Sequence, residues 1–125
     1  MKSEYQISDS ELEVMKMLWQ QKESIKQSQL LQLFENEGKE WKRQTLNTFL
    51  SRLEGKGLIK REKGMVSVVC DEEEYSFAQV KSAIDNLYGG KLSNFMAAFI
   101  KKEAVSKEDA EELNQYLKTL EVKQK

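Results

Sequence analysis

The chain has 125 residues, about a third of them charged and 39% hydrophobic, with a single cysteine and no histidine. That balance suits a soluble, largely helical protein and is too apolar for a disordered one. The lone Cys70 excludes an intrachain disulfide and fits a reducing cytoplasm, while the absence of histidine removes both a multi-ligand zinc or copper site and an imidazole base. No nucleophile–base pair, phosphate loop or paired carboxylates take their place, so no enzyme, metal or cofactor is expected. The longest uncharged run, residues 92–100, is far short of the roughly 20 apolar residues that insert into a membrane. Residues 1–9 lack the apolar core and cleavage site of a signal peptide. The net charge of −1 is unevenly spread. Residues 1–70 carry 12 basic against 10 acidic side chains (+2), and residues 71–125 carry 8 against 11 (−3). Residues 39–63 carry 8 against 3, a local +5 able to meet phosphate.

Ile7-Ser8-Asp9-Ser10-Glu11-Leu12 reads as a helix start. Ser8 caps the amide of Glu11, Glu11 reaches back to close a capping box, and Ile7 and Leu12 stand at the hydrophobic-staple positions. The helix is predicted to run to about Gln21 and to bury Leu12, Met15, Leu18 and Trp19. A second helix over residues 27–36 buries Leu30, Leu31, Leu33 and Phe34, and Gly38 ends it. A third follows Trp41, with Leu46, Phe49, Leu50 and Leu53 at i, i+3, i+4 and i+7, and Gly55-Lys56-Gly57 stops it. Two β-prone runs, residues 58–61 and 65–70, are joined by Glu62-Lys63-Gly64, a polar turn with glycine to take positive φ. Trp19 and Trp41 read as core or wing-packing residues, and Cys70 as a small buried thiol. Three helices followed by a hairpin, all within about 70 residues, is the order of a winged helix-turn-helix.

The character changes at Asp71. The acidic run Asp71-Glu72-Glu73-Glu74 is expected to cap a helix carrying Phe77, Val80, Ile84, Leu87 and Tyr88 on one stripe, broken by Gly89-Gly90. Leu92, Phe95, Met96, Phe99 and Ile100 form a second stripe. A third helix, capped by Ser106, carries Leu113, Tyr116, Leu117 and Leu120. Three short amphipathic helices can hardly bury these side chains by themselves, and a second copy is the simplest partner. The expected architecture is therefore mostly α with a small β-hairpin. A winged helix-turn-helix domain covers residues 1–70, and a C-terminal three-helix dimerisation segment covers residues 71–125. Leu87, Tyr88, Leu92, Phe95, Met96, Phe99, Ile100, Leu113, Tyr116, Leu117 and Leu120 are the expected homodimer contacts. With no proline and no Gly/Ser linker, the connection between the halves is expected to be helical and stiff.

A helix that reads DNA must seat one face in a small core and offer short polar side chains and a few arginines to the major groove. Residues 42–56 meet both demands. Gln44 and Asn47 carry amides able to make paired contacts with adenine, and Thr45 and Thr48 can bond base edges or phosphates. Arg43 and Arg52 can reach phosphate or guanine, with Lys42 and Ser51 completing the set. Lys60, Arg61 and Lys63 sit where a wing lies along the DNA backbone, to position rather than specify. Thr, Asn, Gln and Ser are mediocre helix formers, a poor choice for a face that serves only solubility. The rival class is a protein–protein adaptor built on the same scaffold, separable from a DNA binder by the salt dependence of binding.

Four stretches carry a family likeness: Ile7-Ser8-Asp9-Ser10-Glu11-Leu12-Glu13-Val14-Met15 with Leu18-Trp19; Trp41-x-x-x-Thr45-x-x-Thr48-x-Leu50-x-Arg52-Leu53-x-x-Lys56-Gly57; Leu87-Tyr88-Gly89-Gly90; and Val105-Ser106-x-Glu108-Asp109. Through them the chain resembles, over essentially its whole length, the penicillinase-repressor and methicillin-resistance-repressor family, which also includes copper-responsive repressors. The resemblance implies a dimeric transcriptional repressor on an inverted-repeat operator of double-stranded DNA, controlling resistance genes, with Gln44, Thr45, Asn47, Thr48 and Arg52 facing the groove. In the penicillinase branch it implies a membrane sensor-protease as a partner and cleavage at an Asn-Phe bond in the dimerisation region. The C-terminal cysteine cluster of the copper branch is replaced here by Glu121-Val122-Lys123-Gln124-Lys125, so copper sensing of that type is not expected. Counting back from Ser106, the family's cleavage position falls on Ala98-Phe99, where the asparagine is missing. The chain's own Asn94-Phe95 lies one helical turn earlier, and both bonds stand as alternatives.

Overall fold

The computed structural model describes residues 6–120. The readings made on residues 1–5 and on the cysteine-free tail, residues 121–125, lie outside the described residues. In chain order the elements are α1 (Asp9–Gln20), β1 (Ile25–Lys26), α2 (Gln27–Asn36), α3 (Arg43–Gly55), β2 (Ile59–Glu62), β3 (Met65–Val68), α4 (Glu72–Leu87), α5 (Leu92–Lys102) and α6 (Lys107–Lys118). Two compact units divide between Ala83 and Ile84, inside α4.

In the first unit α1 starts as its sequence dictates. The Glu11 amide donates to Ser8 Oγ at 3.2 Å, and the Ser8 amide donates to Glu11 Oε1 at 3.0 Å, closing the capping box. The helix buries Val14, Met15, Met17 and Leu18. Leu12 and Trp19, expected inside, are only half-buried, because α1 packs against both α3 and β3 and its covered face is rotated toward them. Trp19 closes the edge of the core: its indole N–H donates to the Cys70 carbonyl at 3.0 Å, and its ring lies 5.5 Å from that of Tyr75. Burial lifts the Tyr75 phenol above its ordinary pKa, with the Cys70 thiol adding to the shift.

From α2, Leu30 and Phe34 enter the core, with Leu31 and Leu33 at its margin. From α3, Leu46, Leu50 and Leu53 enter it, while Phe49 stays half-buried against Trp41. The Trp41 ring sits 4.7 Å from Phe34 and 5.1 Å from Phe49, so it closes the α2–α3 end of the core. α3 ends in a Schellman motif: Gly57, at φ +80°, donates to the Glu54 carbonyl, and Leu58 donates to Leu53, burying both leucines together. That use of the Leu58 amide is why the strand begins one residue later than its composition suggests.

β2 and β3 pair with Glu62 opposite Met65, which leaves a two-residue turn. Lys63 and Gly64 take φ values of +52° and +78°, the geometry of a type I′ hairpin. The turn is thus one residue shorter than the expected Glu62-Lys63-Gly64. A third strand was not anticipated: β1 pairs with β3 through Ile25 and Val66 and through Lys26 and Met65, and the Gln27 amide donates to the Gly64 carbonyl at 3.0 Å. The hairpin is therefore part of a three-stranded antiparallel sheet ordered β1-β3-β2.

The acidic run caps α4 as expected: the Glu74 amide donates to Asp71 Oδ1 at 2.8 Å and the Asp71 amide to Glu74 Oε1 at 3.3 Å. In the second unit Ser106 caps α6, accepting from the Asp109 amide at 3.0 Å. The Phe95 ring packs 5.5 Å from Tyr88 and 6.3 Å from Phe99. Tyr88, Phe95 and Met96 are half-buried, whereas Leu87, Leu92, Phe99, Ile100, Leu113, Tyr116, Leu117 and Leu120 are exposed. No helix among the described residues is long and apolar enough to cross a membrane.

Candidate nucleic-acid interface

The buried row of α3, Leu46, Leu50 and Leu53, is at most 1% exposed, so the helix is held firmly by one side. Helical periodicity then sorts the remaining side chains into three rows. Gln44, Thr48 and Ser51 lie opposite the core; Thr45, Arg52 and Lys56 lie on one flank; Arg43, Asn47 and Glu54 lie on the other. All but Lys56 are exposed. The residues singled out from the sequence do share one helix, but they do not share one environment.

On the central row, Gln44 makes no side-chain hydrogen bond to any described residue. The Thr48 hydroxyl donates back to the Gln44 carbonyl at 3.1 Å, leaving its oxygen lone pairs and its methyl group for an external partner.

The first flank faces the start of α1. Glu11 is only 2% exposed, and a carboxylate so buried requires partners. Besides the Ser8 amide it meets Lys56 Nζ at 3.4 Å and Arg52 Nη1 at 3.8 Å, and Lys56 also donates to the Gln6 carbonyl at 2.7 Å. The Arg52 side chain keeps 61% of its surface exposed against 34% for Lys56. Lys56 is thus the anchor, and Arg52 stays accessible beside the central row. Glu11 was not read as a core position, although it sits at i, i+3, i+4, i+7 with Val14, Met15 and Leu18, a signal present in the sequence.

The second flank holds a clasp. Arg61 of β2 donates from Nη1 to Asn47 Oδ1 at 2.8 Å and to Gln27 Oε1 at 3.4 Å. From Nη2 it donates to Ser51 Oγ at 2.9 Å and Glu54 Oε1 at 3.0 Å, and from Nε to Glu54 Oε1 at 3.1 Å. All five N–H donors of the guanidinium are engaged within the protein. Arg61, assigned from the sequence to the DNA backbone, therefore ties the wing to α3 in this structure. Lys60 is exposed, with Glu62 Oε1 3.9 Å from its ammonium, and Lys63 is exposed at the tip of the turn.

Lys42 takes the N-cap position of α3 without capping it, and Arg43 follows. Beside this helix start opens a cleft of about 1090 Å³, bordered by Lys26 of β1, by Gln27, Ser28 and Glu35 of α2, by Arg43, Gln44 and Asn47 of α3, and by Lys63 and Gly64 of the turn. The α2 residues in this set were missed from the sequence. The β1–β3 pairing and the packing of α2 on α3 bring them there, and a two-residue strand has no periodicity to announce it.

Both candidate cleavage bonds lie inside α5. Asn94 is exposed and its side-chain amide donates to the Tyr88 carbonyl at 3.2 Å; Phe95 and Ala98 are half-buried.

Three helices carrying a small antiparallel sheet, with a polar, cation-flanked third helix seated on the core, make this a winged helix-turn-helix protein. The sequence profile of the penicillinase repressor family matches residues 7–119, and the chain belongs to that family. It is 34% identical over 121 residues to the penicillinase repressor of Bacillus licheniformis, covering 94% of this chain and 93% of that protein. It is 28% identical over 117 residues to the methicillin resistance regulatory protein MecI of Staphylococcus aureus strain N315, covering 90% and 94%. The penicillinase repressor of Staphylococcus aureus is 28% identical over 122 residues, covering 94% and 95%.

Proposed function

We propose that the chain is a sequence-specific transcriptional repressor that binds an inverted-repeat operator as a homodimer and controls a β-lactam-resistance or related stress-response operon. The observation that carries this reading is α3 itself: Gln44, Thr48 and Ser51 stand exposed directly opposite a row of leucines that is at most 1% exposed. Short polar side chains on a firmly seated helix suit recognition of base edges in the major groove. Lys42 and Arg43 stand at an uncapped helix N-terminus, where the dipole disfavours cations in the free protein; a DNA phosphate would reverse that balance by meeting both the amides and the charges. Thr45, Arg52, Lys60, Lys63 and, across the cleft, Lys26 extend the contact along the backbone.

The exposed apolar side chains of the second unit support pairing of two copies through an isologous interface. Two recognition helices then enter successive major grooves about 34 Å apart or a multiple of it, which calls for a palindromic operator. The names of the relatives support a resistance operon as the target. If a membrane sensor-protease removes the repressor, α5 must open locally before Asn94-Phe95 or Ala98-Phe99 becomes a substrate.

The test is a fluorescence-anisotropy titration of the chain's own upstream promoter DNA against a scrambled duplex at about 50 and 200 mM salt, the range over which phosphate contacts declare themselves. The expected result is preferential promoter binding by two chains per duplex, with a log-linear loss of affinity as salt rises. Equal, weak and salt-erased binding to both duplexes would overturn operator recognition and favour a protein partner for α3.

A further inference from the structure

We propose that Arg61 sets base specificity without touching DNA, by holding Asn47 as a hydrogen-bond donor only, so that α3 selects guanine where an asparagine would ordinarily select adenine. The inference deepens the DNA-binding reading of α3 and rests on it. An asparagine pairs with adenine through both ends of its amide: the oxygen accepts from the N6 amino group and the nitrogen donates to N7. Here the oxygen is already taken. Arg61 Nη1 donates to Asn47 Oδ1 at 2.8 Å, a strong charge-assisted bond, and Gln27 Nε2 crowds the same oxygen at 3.5 Å. The amide nitrogen of Asn47 donates to no described residue, and the side chain is exposed.

Ser51, one turn further along the same side of the helix, is held in the same sense: its Oγ accepts from Arg61 Nη2 at 2.9 Å, and the hydroxyl keeps its own hydrogen to give. The guanidinium is itself fixed by Glu54, which accepts from Nε and Nη2 through Oε1 and from the Arg61 backbone amide through Oε2 at 3.3 Å. This carboxylate also cancels the charge, so the clasp changes the donor pattern of α3 without strengthening its general attraction for phosphate. In the major groove only guanine sets two acceptors, O6 and N7, side by side; adenine and thymine set one acceptor beside a donor or a methyl group, and cytosine presents a donor. A donor-only amide therefore matches guanine. An amide released from Arg61 regains its oxygen and with it the adenine pair.

The experiment is selection of binding sites from a randomised duplex library by the full chain and by two variants, Arg61→Met and Asn47→Asp, with thermal melts of all three. The wild-type chain is expected to select guanine over adenine at one position of each half-site by about tenfold, within the range of a good base contact. Arg61→Met is expected to move that position toward adenine. Asn47→Asp, which offers only acceptors and pairs more strongly with Arg61, is expected to lose the guanine preference without loss of melting temperature. If Arg61→Met weakens binding to all sites alike and leaves the base preferences unchanged, Arg61 serves only stability and the proposal is overturned. If that variant does not fold, Asn47→Asp decides alone, and retention of guanine overturns the proposal. A wild-type chain that selects a defined site with adenine at the position sensitive to Asn47→Asp overturns it while leaving the DNA-binding reading intact. A wild-type chain that selects no site overturns both.

Discussion

Replacing Lys56 with methionine removes the nearer of the two cations that reach Glu11 while keeping an unbranched stem of similar length. The Glu11 carboxylate lies at the junction of α1 and α3, 2% exposed, with the Ser8 amide at 3.0 Å, Lys56 Nζ at 3.4 Å and Arg52 Nη1 at 3.8 Å. Breaking a fully buried ion pair costs about 3–5 kcal/mol. The Lys56 side chain is 34% exposed, however, and the Ser8 amide and Arg52 remain, so water and the second cation recover much of that loss. The expected cost is about 1–2 kcal/mol, near the worth of one hydrogen bond to a charged group. For a chain of this size that lowers the melting temperature by roughly 3–10 °C. Arg52→Ala is the control. Its ion pair is longer and its side chain 61% exposed, which places its contribution at about 0–0.5 kcal/mol, yet it stands beside the exposed row proposed to meet DNA. Thermal melts by circular dichroism, with operator titrations at a temperature where both variants are folded, separate the two. Lys56→Met should lose stability and keep its affinity; Arg52→Ala should keep stability and lose affinity. Equal destabilisation by the two substitutions, or a Lys56→Met melt that overlays the wild type, would refute the assignment of Lys56 as anchor and Arg52 as contact.

Three further outcomes are expected. Phe99→Glu, which places a charge among the exposed apolar side chains of the second unit, should give a monomer by light scattering and weaken operator binding about a hundredfold or more through loss of the second recognition helix; a variant that remains dimeric excludes Phe99 from the interface. Lys63→Asn, at φ +52° in the first position of the type I′ turn, should raise stability by about 0.5 kcal/mol while lowering the slope of log affinity against log salt by about one, because the turn gains a residue suited to left-handed backbone and loses a cation. Tyr75, whose pKa burial raises above the unfolded value of about 10, contributes stability that is fully present below that pH and is lost as pH rises through the folded value. Tyr75→Phe should therefore make the alkaline fall in melting temperature shallower, and an unchanged alkaline limb would show that this phenol does not govern it.

Much of this protein is written in local patterns. The Ser8–Glu11 capping box, the leucine row of α3, the Gly57 stop and the Ser106 cap each involve residues within a turn or two of one another, so the chain declares them before any tertiary contact forms. The polar composition of the opposite face of α3 was legible for the same reason. What the sequence could not settle are the pairings between distant segments. β1 is two residues long and exists only because β3 lies beside it. The division of labour between Lys56 and Arg52 depends on how closely each approaches a carboxylate some 40 residues earlier on another helix, a separation that no helical period encodes. Arg61, to all appearance one more wing cation, becomes the keystone of α3 because the fold brings Gln27, Asn47, Ser51 and Glu54 within hydrogen-bond distance of one guanidinium. Periodicity and capping determine which side chains of α3 face away from the core. The tertiary structure decides which hydrogen-bonding groups those side chains still have free, because that depends on distances across the fold and not along the chain.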